Sequence, residues 1–137
     1  MIVYNAIQTP DGTILESRYR HQYIEYVDAN GKLYMVDGGL DYLRRSSHSD
    51  QIELSMTDRE PFEKVREVFT WGTYGQYEDQ PLRFIVLKDL NSEHIEMILK
   101  LKYLSDDRRR LFEKELEYRG SNRTEPHEDN RGRITEM

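Results

Sequence analysis

A chain of 137 residues with no cysteine and a formal charge of −6 fits one domain that buries a core without disulfide or thiolate–metal staples. These facts exclude a cysteine nucleophile. They also disfavour a grip on long nucleic acid, whose affinity comes largely from cations that displace counterions, while leaving room for a small anion held by a few local arginines. No apolar run approaches the roughly 20 residues that span a bilayer, and the N-terminus lacks a basic region followed by an apolar one, so a cytosolic protein with no membrane partner is expected.

The first forty residues read as β. Ile2, Tyr4 and Ala6 alternate with Val3, Asn5 and Ile7 until Thr9-Pro10-Asp11-Gly12, where proline presets φ, aspartate bonds locally and glycine accepts a positive φ. The run from Thr13 to Tyr19 then predicts a hairpin. Tyr23 to Val27 and Leu33 to Val36 flank Asp28-Ala29-Asn30-Gly31, a second turn of the same chemistry, so an antiparallel meander is expected. Gly38-Gly39 ends it, and Leu40 to Arg45 reads as one helical turn or a short strand.

Ile52, Leu54 and Met56 alternate as another short strand. Thr57-Asp58 and Pro61 mark the start of a helix whose buried face is Phe62, Val65, Val68 and Phe69. Trp71 to Tyr77 mixes glycine with aromatics and cannot continue it. Leu82 to Leu87 reads as a central strand, being apolar on both faces. Asn91 or Ser92 caps a helix carrying Ile95, Ile98, Leu99 and, at its end, Leu101. Ser105 caps the last one, carrying Leu111, Phe112, Leu116 and Tyr118, with Gly120 as its stop. The expected fold is α+β: an antiparallel sheet packed with two to three helices in one domain over 1–120, then a disordered polar tail over 121–137.

Nucleophile elbows, P-loops, dinucleotide fingerprints and zinc-type His-Glu motifs are absent, so no catalytic residue, metal or cofactor is assigned. Acidic residues such as Asp37, Asp41 and Glu63 read as a solvated face. His94, in a first helical turn, and His127, in the tail, read as surface. His21, among Arg18, Arg20 and Gln22, is a candidate anion contact. Arg44-Arg45 follows the Gly-Gly break. Arg108-Arg109-Arg110 opens the last helix, where a phosphate would meet both helix amides and guanidinium forks. The plainer reading there is that Asp106 and Asp107 pair with those arginines. Phe69, Trp71 and Tyr74 are candidate stacking rings, with the core as the alternative for Phe69 above all. Ten tyrosines suit either ordinary strands or an interface.

Several strings carry a resemblance: Tyr4-Asn5-Ala6-Ile7, Thr9-Pro10-Asp11-Gly12-Thr13, Glu16-Ser17-Arg18, Tyr34 through Arg45 with its Asp-Gly-Gly-Leu-Asp-Tyr-Leu-Arg-Arg core, Trp71-Gly72-Thr73-Tyr74-Gly75, Gln80-Pro81-Leu82 and Glu115-Leu116-Glu117-Tyr118-Arg119. Over about residues 2–119 the chain resembles the first-described anti-Thoeris family of phage and prophage proteins. The resemblance implies an α+β sponge, not an enzyme, that captures glycocyclic ADP-ribose or CBASS-type cyclic oligonucleotides without cleaving them, in a homo-oligomer (a dimer, or a hexamer built from dimers). By their chemistry the ligand residues would be Phe69, Trp71 and Tyr74 for stacking, and Arg18, His21, Arg44, Arg45, Arg109 and Arg110 for phosphates. At 76–79 the chain departs from the family's Lys-Asp-Gly turn with Gln76-Tyr77-Glu78-Asp79. The alternatives are a phage protein that binds a host protein and, behind it, a nucleotide hydrolase.

Overall fold

The computed structural model describes residues 1–74 and 81–122; the expectations for 76–79 and for the tail beyond 122 lie outside them. Three α-helices and a set of short antiparallel strands place the described chain in the α+β class. It divides into two compact units, Met1–Val65 and the described residues from Arg66 on.

In the first unit, β1 (Ile2–Tyr4) and β2 (Ala6–Gln8) are one sequence run broken at Asn5. Beyond the break, β2 pairs with β3 (Ile14–Glu16) in the register Ala6↔Glu16, Ile7↔Leu15, Gln8↔Ile14. The expected Pro-Asp-Gly turn closes this hairpin: Gly12 sits at φ 91°, and the Asp11 carboxylate accepts the Thr13 amide at 3.1 Å. A second hairpin joins β4 (Ile24–Val27) to β5 (Leu33–Asp37). There the Asp28 carboxylate takes the amides of Asn30 and Lys32, each at 2.9 Å.

The four strands do not form one meander. Strand β2 lies between β3 and β7 (Ile52–Glu53), β5 lies between β4 and β6 (Arg44–Arg45), and β1 pairs with β8 (Met56–Thr57). Ile7, Leu15, Tyr34 and Val36 form the core, with Ile24 and Tyr26 packed on it. The tip of the loop before β7 is tied down by polar contacts. Tyr34 and Lys32 both donate to Asp50, and the His48 ring meets Tyr34 edge-on at 4.8 Å. The Lys32–Asp50 bond pushes the Lys32 pKa up and holds Asp50 low, while burial, and after it the bond to Asp50, pushes the Tyr34 hydroxyl up.

Helix α1 (Phe62–Val68) follows the expected Pro61, but Pro61 precedes it rather than lying in its first turn, and the expected caps serve elsewhere: Thr57 belongs to β8 and Asp58 pairs with the Met1 amine at 2.9 Å. In the second unit, β9 (Thr70–Thr73) pairs with β10 (Arg83–Val86). A single 3-10 turn, Leu87–Asp89, leads to α2 (Ser92–Leu99) and then α3 (Asp106–Asn122). Among the described residues β10 pairs with β9 alone and its four residues are half-buried, so its apolar character does not mark a sheet centre.

Asn91 caps α2 by accepting the His94 amide at 2.8 Å. His94 itself is buried, contrary to the surface expectation, because it shares the inward stripe of Ile95 and Ile98. Gly120 does not stop α3, which runs on through Asn122.

The inward face of α3 is Leu111, Phe112, Glu115 and Arg119. Glu115, fully buried, receives Arg66 Nε and Nη2 at 2.8 Å each and Arg119 Nε at 2.7 Å. Arg119 also donates to the Ser92 hydroxyl at 3.0 Å and to the carbonyls of Leu87 and Leu90. One carboxylate and two guanidinium groups thereby tie α3 to the end of α1 and to the approach to α2. Arg66 stacks over the Tyr118 ring at 4.2 Å, and its bond to Glu115 raises its pKa further. Among the described residues no helix is long and apolar enough to cross a membrane.

Candidate functional site

The most distinctive string of the sequence folds into a tight turn that is welded to a neighbouring loop. Gly38 and Gly39 both have positive φ, 105° and 53°. The Gly38 carbonyl accepts the amides of Asp41 and Tyr42 at 3.0 and 3.2 Å, which closes the turn. A side chain at Gly38 would overlap the Tyr42 carbonyl; one at Gly39 would overlap the backbone of Tyr19 and Arg20. Glycine is required at both positions for close approach as well as for φ.

Two buried polar side chains hold this geometry. Asn5, with no exposed surface, donates to the carbonyls of Asp37 and Gly39, both at 2.9 Å. The Ser17 hydroxyl donates to the Gln22 carbonyl at 2.7 Å and accepts the Gly39 amide at 2.8 Å. This explains why the first strand breaks at Asn5. Its amide serves the turn 33 residues away, and buried amides demand such partners.

The welded loops gather aromatic rings and guanidinium groups. His21 stands at φ 66°, a left-handed conformation that L side chains rarely adopt, and its Nδ1 lies 3.2 Å from the Tyr42 hydroxyl. Tyr19 is half-exposed, and its backbone lies against Gly39. Arg20 Nε lies 3.8 Å from Asp41, and Arg44 donates to the buried Asp37 carboxylate at 3.2 Å. Backbone strain of this kind costs on the order of 1–2 kcal/mol and persists only where the surroundings enforce it. His21→Gly is therefore expected to raise stability by up to about 1 kcal/mol in thermal melts while impairing the surface's ligand binding. A loss of stability would show that the His21 contacts outweigh the strain, making its conformation structural.

The candidate residues of the first unit divide in role. His21 and Arg44 belong to the cluster. Arg18 lies on its flank, paired with Glu16 at 2.6 Å. Arg45 points the other way, since strand alternation turns it inward: it binds Glu53, the Asn5 side-chain carbonyl at 3.2 Å and the Ser55 hydroxyl at 3.0 Å. Burial pushes its pKa down, and its Nε is buried with no hydrogen-bond partner. Arg45 is a strut beneath the turn. Sequence reasoning overlooked Tyr19, Arg20 and Tyr42 as site members, although Tyr42 lies inside the Gly-Gly string and the other two sit between Arg18 and His21.

The candidates of the second unit are placed differently. Phe69 is fully buried, with its ring 5.8 Å from Phe112, so it offers no face for stacking in this conformation. Trp71 is half-buried and meets Phe112 edge-on at 5.5 Å, while Tyr74 is exposed. The space over Gly72 is taken by the Phe84 ring, so its missing side chain admits a neighbour within the hairpin. Arg109 donates to the Leu99 carbonyl at 2.8 Å, and Arg110 pairs with Asp107 at 3.2 Å. The plainer reading of the arginine triplet thus holds for Arg110, and Arg109 braces the end of α2. Among the described residues no group of three or more His, Asp or Glu side chains is placed to hold a metal.

No protein-family model, curated protein or solved structure matches this chain.

Proposed function

We propose that this protein is a phage counter-defence sponge: it binds a cyclic nucleotide immune signal, glycocyclic ADP-ribose or a CBASS-type cyclic oligonucleotide, and withholds it without cleaving it. One observation carries the reading. A turn and loop locked together by Asn5 and Ser17 carry the paired His21 and Tyr42 rings, the Arg20–Asp41 pair, half-exposed Tyr19 and, on the strand that follows, Arg44 held by Asp37. Rings of this kind stack on a purine, and guanidinium forks match phosphate oxygens in pairs. The same turn contains the string that bears the family resemblance.

Capture without turnover needs uniformly tight binding and no differential stabilisation of a transition state. Pre-organisation helps, because a surface ordered before binding loses little entropy when the ligand arrives. The exposed pair Arg20–Asp41 contributes roughly 0–1 kcal/mol, so a phosphate displaces that carboxylate at small cost. Within the second unit by itself, Trp71 and Tyr74 are proposed as further stacking rings, and a homo-oligomer would bring arginines from more than one copy to the ligand.

The test is to incubate purified protein with glycocyclic ADP-ribose, wash, denature, and identify the released molecule by mass spectrometry. Intact signal near one equivalent per site is expected. A cleaved product would establish a hydrolase instead. If neither this ligand nor cyclic oligonucleotides are retained, the sponge reading fails and a host-protein partner takes its place.

A further inference from the structure

A second surface, within the second unit and independent of the cluster above, lies at the corner between α2 and α3. Residues 97–110 hold five basic side chains (Lys100, Lys102, Arg108, Arg109, Arg110) against two acidic ones, in a chain whose net charge is −6. The corner is firmly built. The amides of Lys100 and Leu101 bond to the carbonyls of Met97 and Ile98 at 3.1 and 3.0 Å. Arg109 reaches back from α3 to the Leu99 carbonyl, placing a cation at the negative end of α2. The Ser105 hydroxyl accepts the Arg108 amide at 3.2 Å, which fixes the start of α3.

This rigid corner presents apolar groups to solvent. Tyr103 is 94% exposed, Met97 54% and Leu101 43%, and exposed Lys100 and Lys102 alternate with the last and first of these rings and chains. Among the described residues neither lysine forms an ion pair. A tyrosine so fully solvated contributes nothing to the core, and aromatic side chains of this type are enriched at protein interfaces.

We propose that the α2–α3 corner docks an acidic, leucine-bearing segment of a partner protein: Tyr103, Leu101 and Met97 contact its apolar side chains, and Lys100 and Lys102 flank its carboxylates. Charge decides among possible occupants. Residues 97–110 carry a local basic excess in a chain whose net charge is −6, and exposed charges more than about 8 Å apart are largely screened at physiological salt. A short acidic segment needs only these lysines as counter-charges, whereas binding an anionic bilayer or a long nucleic acid calls for a larger cationic surface than a chain of net charge −6 favours.

The experiment is an amide-shift titration of the isotope-labelled full chain with a peptide of alternating glutamate and leucine, with an alternating serine–leucine peptide as control. Shifts centred on residues 97–110 and weakened by added salt are expected. The double variant Lys100→Glu, Lys102→Glu should bind about ten-fold more weakly, and Tyr103→Ala several-fold more weakly; thermal melts should be unchanged for Tyr103→Ala and only slightly lowered for the double variant, whose carboxylate at position 100 would oppose the dipole at the end of α2. Shifts centred elsewhere, equal binding of the serine peptide, absent binding or undiminished affinity of the variants would each overturn the proposal. Phosphatidylserine vesicles that bind through the same lysines while the peptide does not would overturn it in favour of a membrane contact.

Discussion

Replacing Glu115 by alanine should destabilise the protein by about 3–5 kcal/mol, the range seen when one partner of a buried ion pair is removed. The carboxylate is fully buried and takes three charge-assisted bonds, two from Arg66 and one from Arg119. Without it, two guanidinium groups lie close together, largely out of water, with no counter-charge. Arg119 retains the Ser92 hydroxyl and the Leu87 and Leu90 carbonyls, so much of the penalty falls on Arg66. For a chain of this size the loss should lower the melting temperature by roughly 10–20 °C. Urea unfolding followed by circular dichroism gives the direct value. A change below about 1 kcal/mol would mean that water reaches the triad and supplies the missing partners. Glu115→Gln, which keeps the shape and one acceptor, should fall between alanine and the parent.

Gly38→Ala should cost about 2–5 kcal/mol, and it should do so by a different route. At φ 105° an L side chain is strained before any contact is considered, and the added carbon would overlap the Tyr42 carbonyl of the same closed turn. That carbonyl cannot retreat freely, because the Tyr42 amide is bonded to Gly38 and the Asn5 amide lies 3.4 Å from the Tyr42 oxygen. Gly31→Ala is the matched control: it too has positive φ, 81°, but nothing stands within 4 Å of the added carbon. It should cost only the backbone strain, about 1 kcal/mol. If both variants unfold at the same denaturant concentration, the overlap is relieved by a small shift and the turn is less rigid than its hydrogen bonds imply. If Gly38→Ala alone is destabilised and also loses ligand retention, the turn serves the surface it carries.

The two cases differ in how legible they were. The Gly-Gly pair announced a backbone break, and the neighbouring arginines made it a candidate anion contact, so sequence pattern led directly to the first unit's turn. It could not say that Arg44 and Arg45, adjacent in sequence, face opposite ways, because that depended on Leu40 to Arg45 ending as a strand in register with Val36 and Asp37. The Glu115 triad was invisible for another reason. A helical stripe is read from apolar residues, and Glu115 and Arg119 look solvated until Arg66, 49 positions earlier, supplies the opposing charge. His94 was misplaced by the same habit of assigning polar residues to the outside.

Local chemistry in the sequence determined both hairpin turns, the helix starts at Pro61, Asn91 and Ser105, and the α+β class. These depend on groups a few residues apart, whose bonding is written in the residue types themselves. Tertiary structure decided the division of the strands among separate small sheets, the burial of Asn5, Glu115 and Arg119, and which arginines remained at the surface. Those outcomes rest on pairings between distant segments, where a polar side chain goes inside only if the fold brings it a partner.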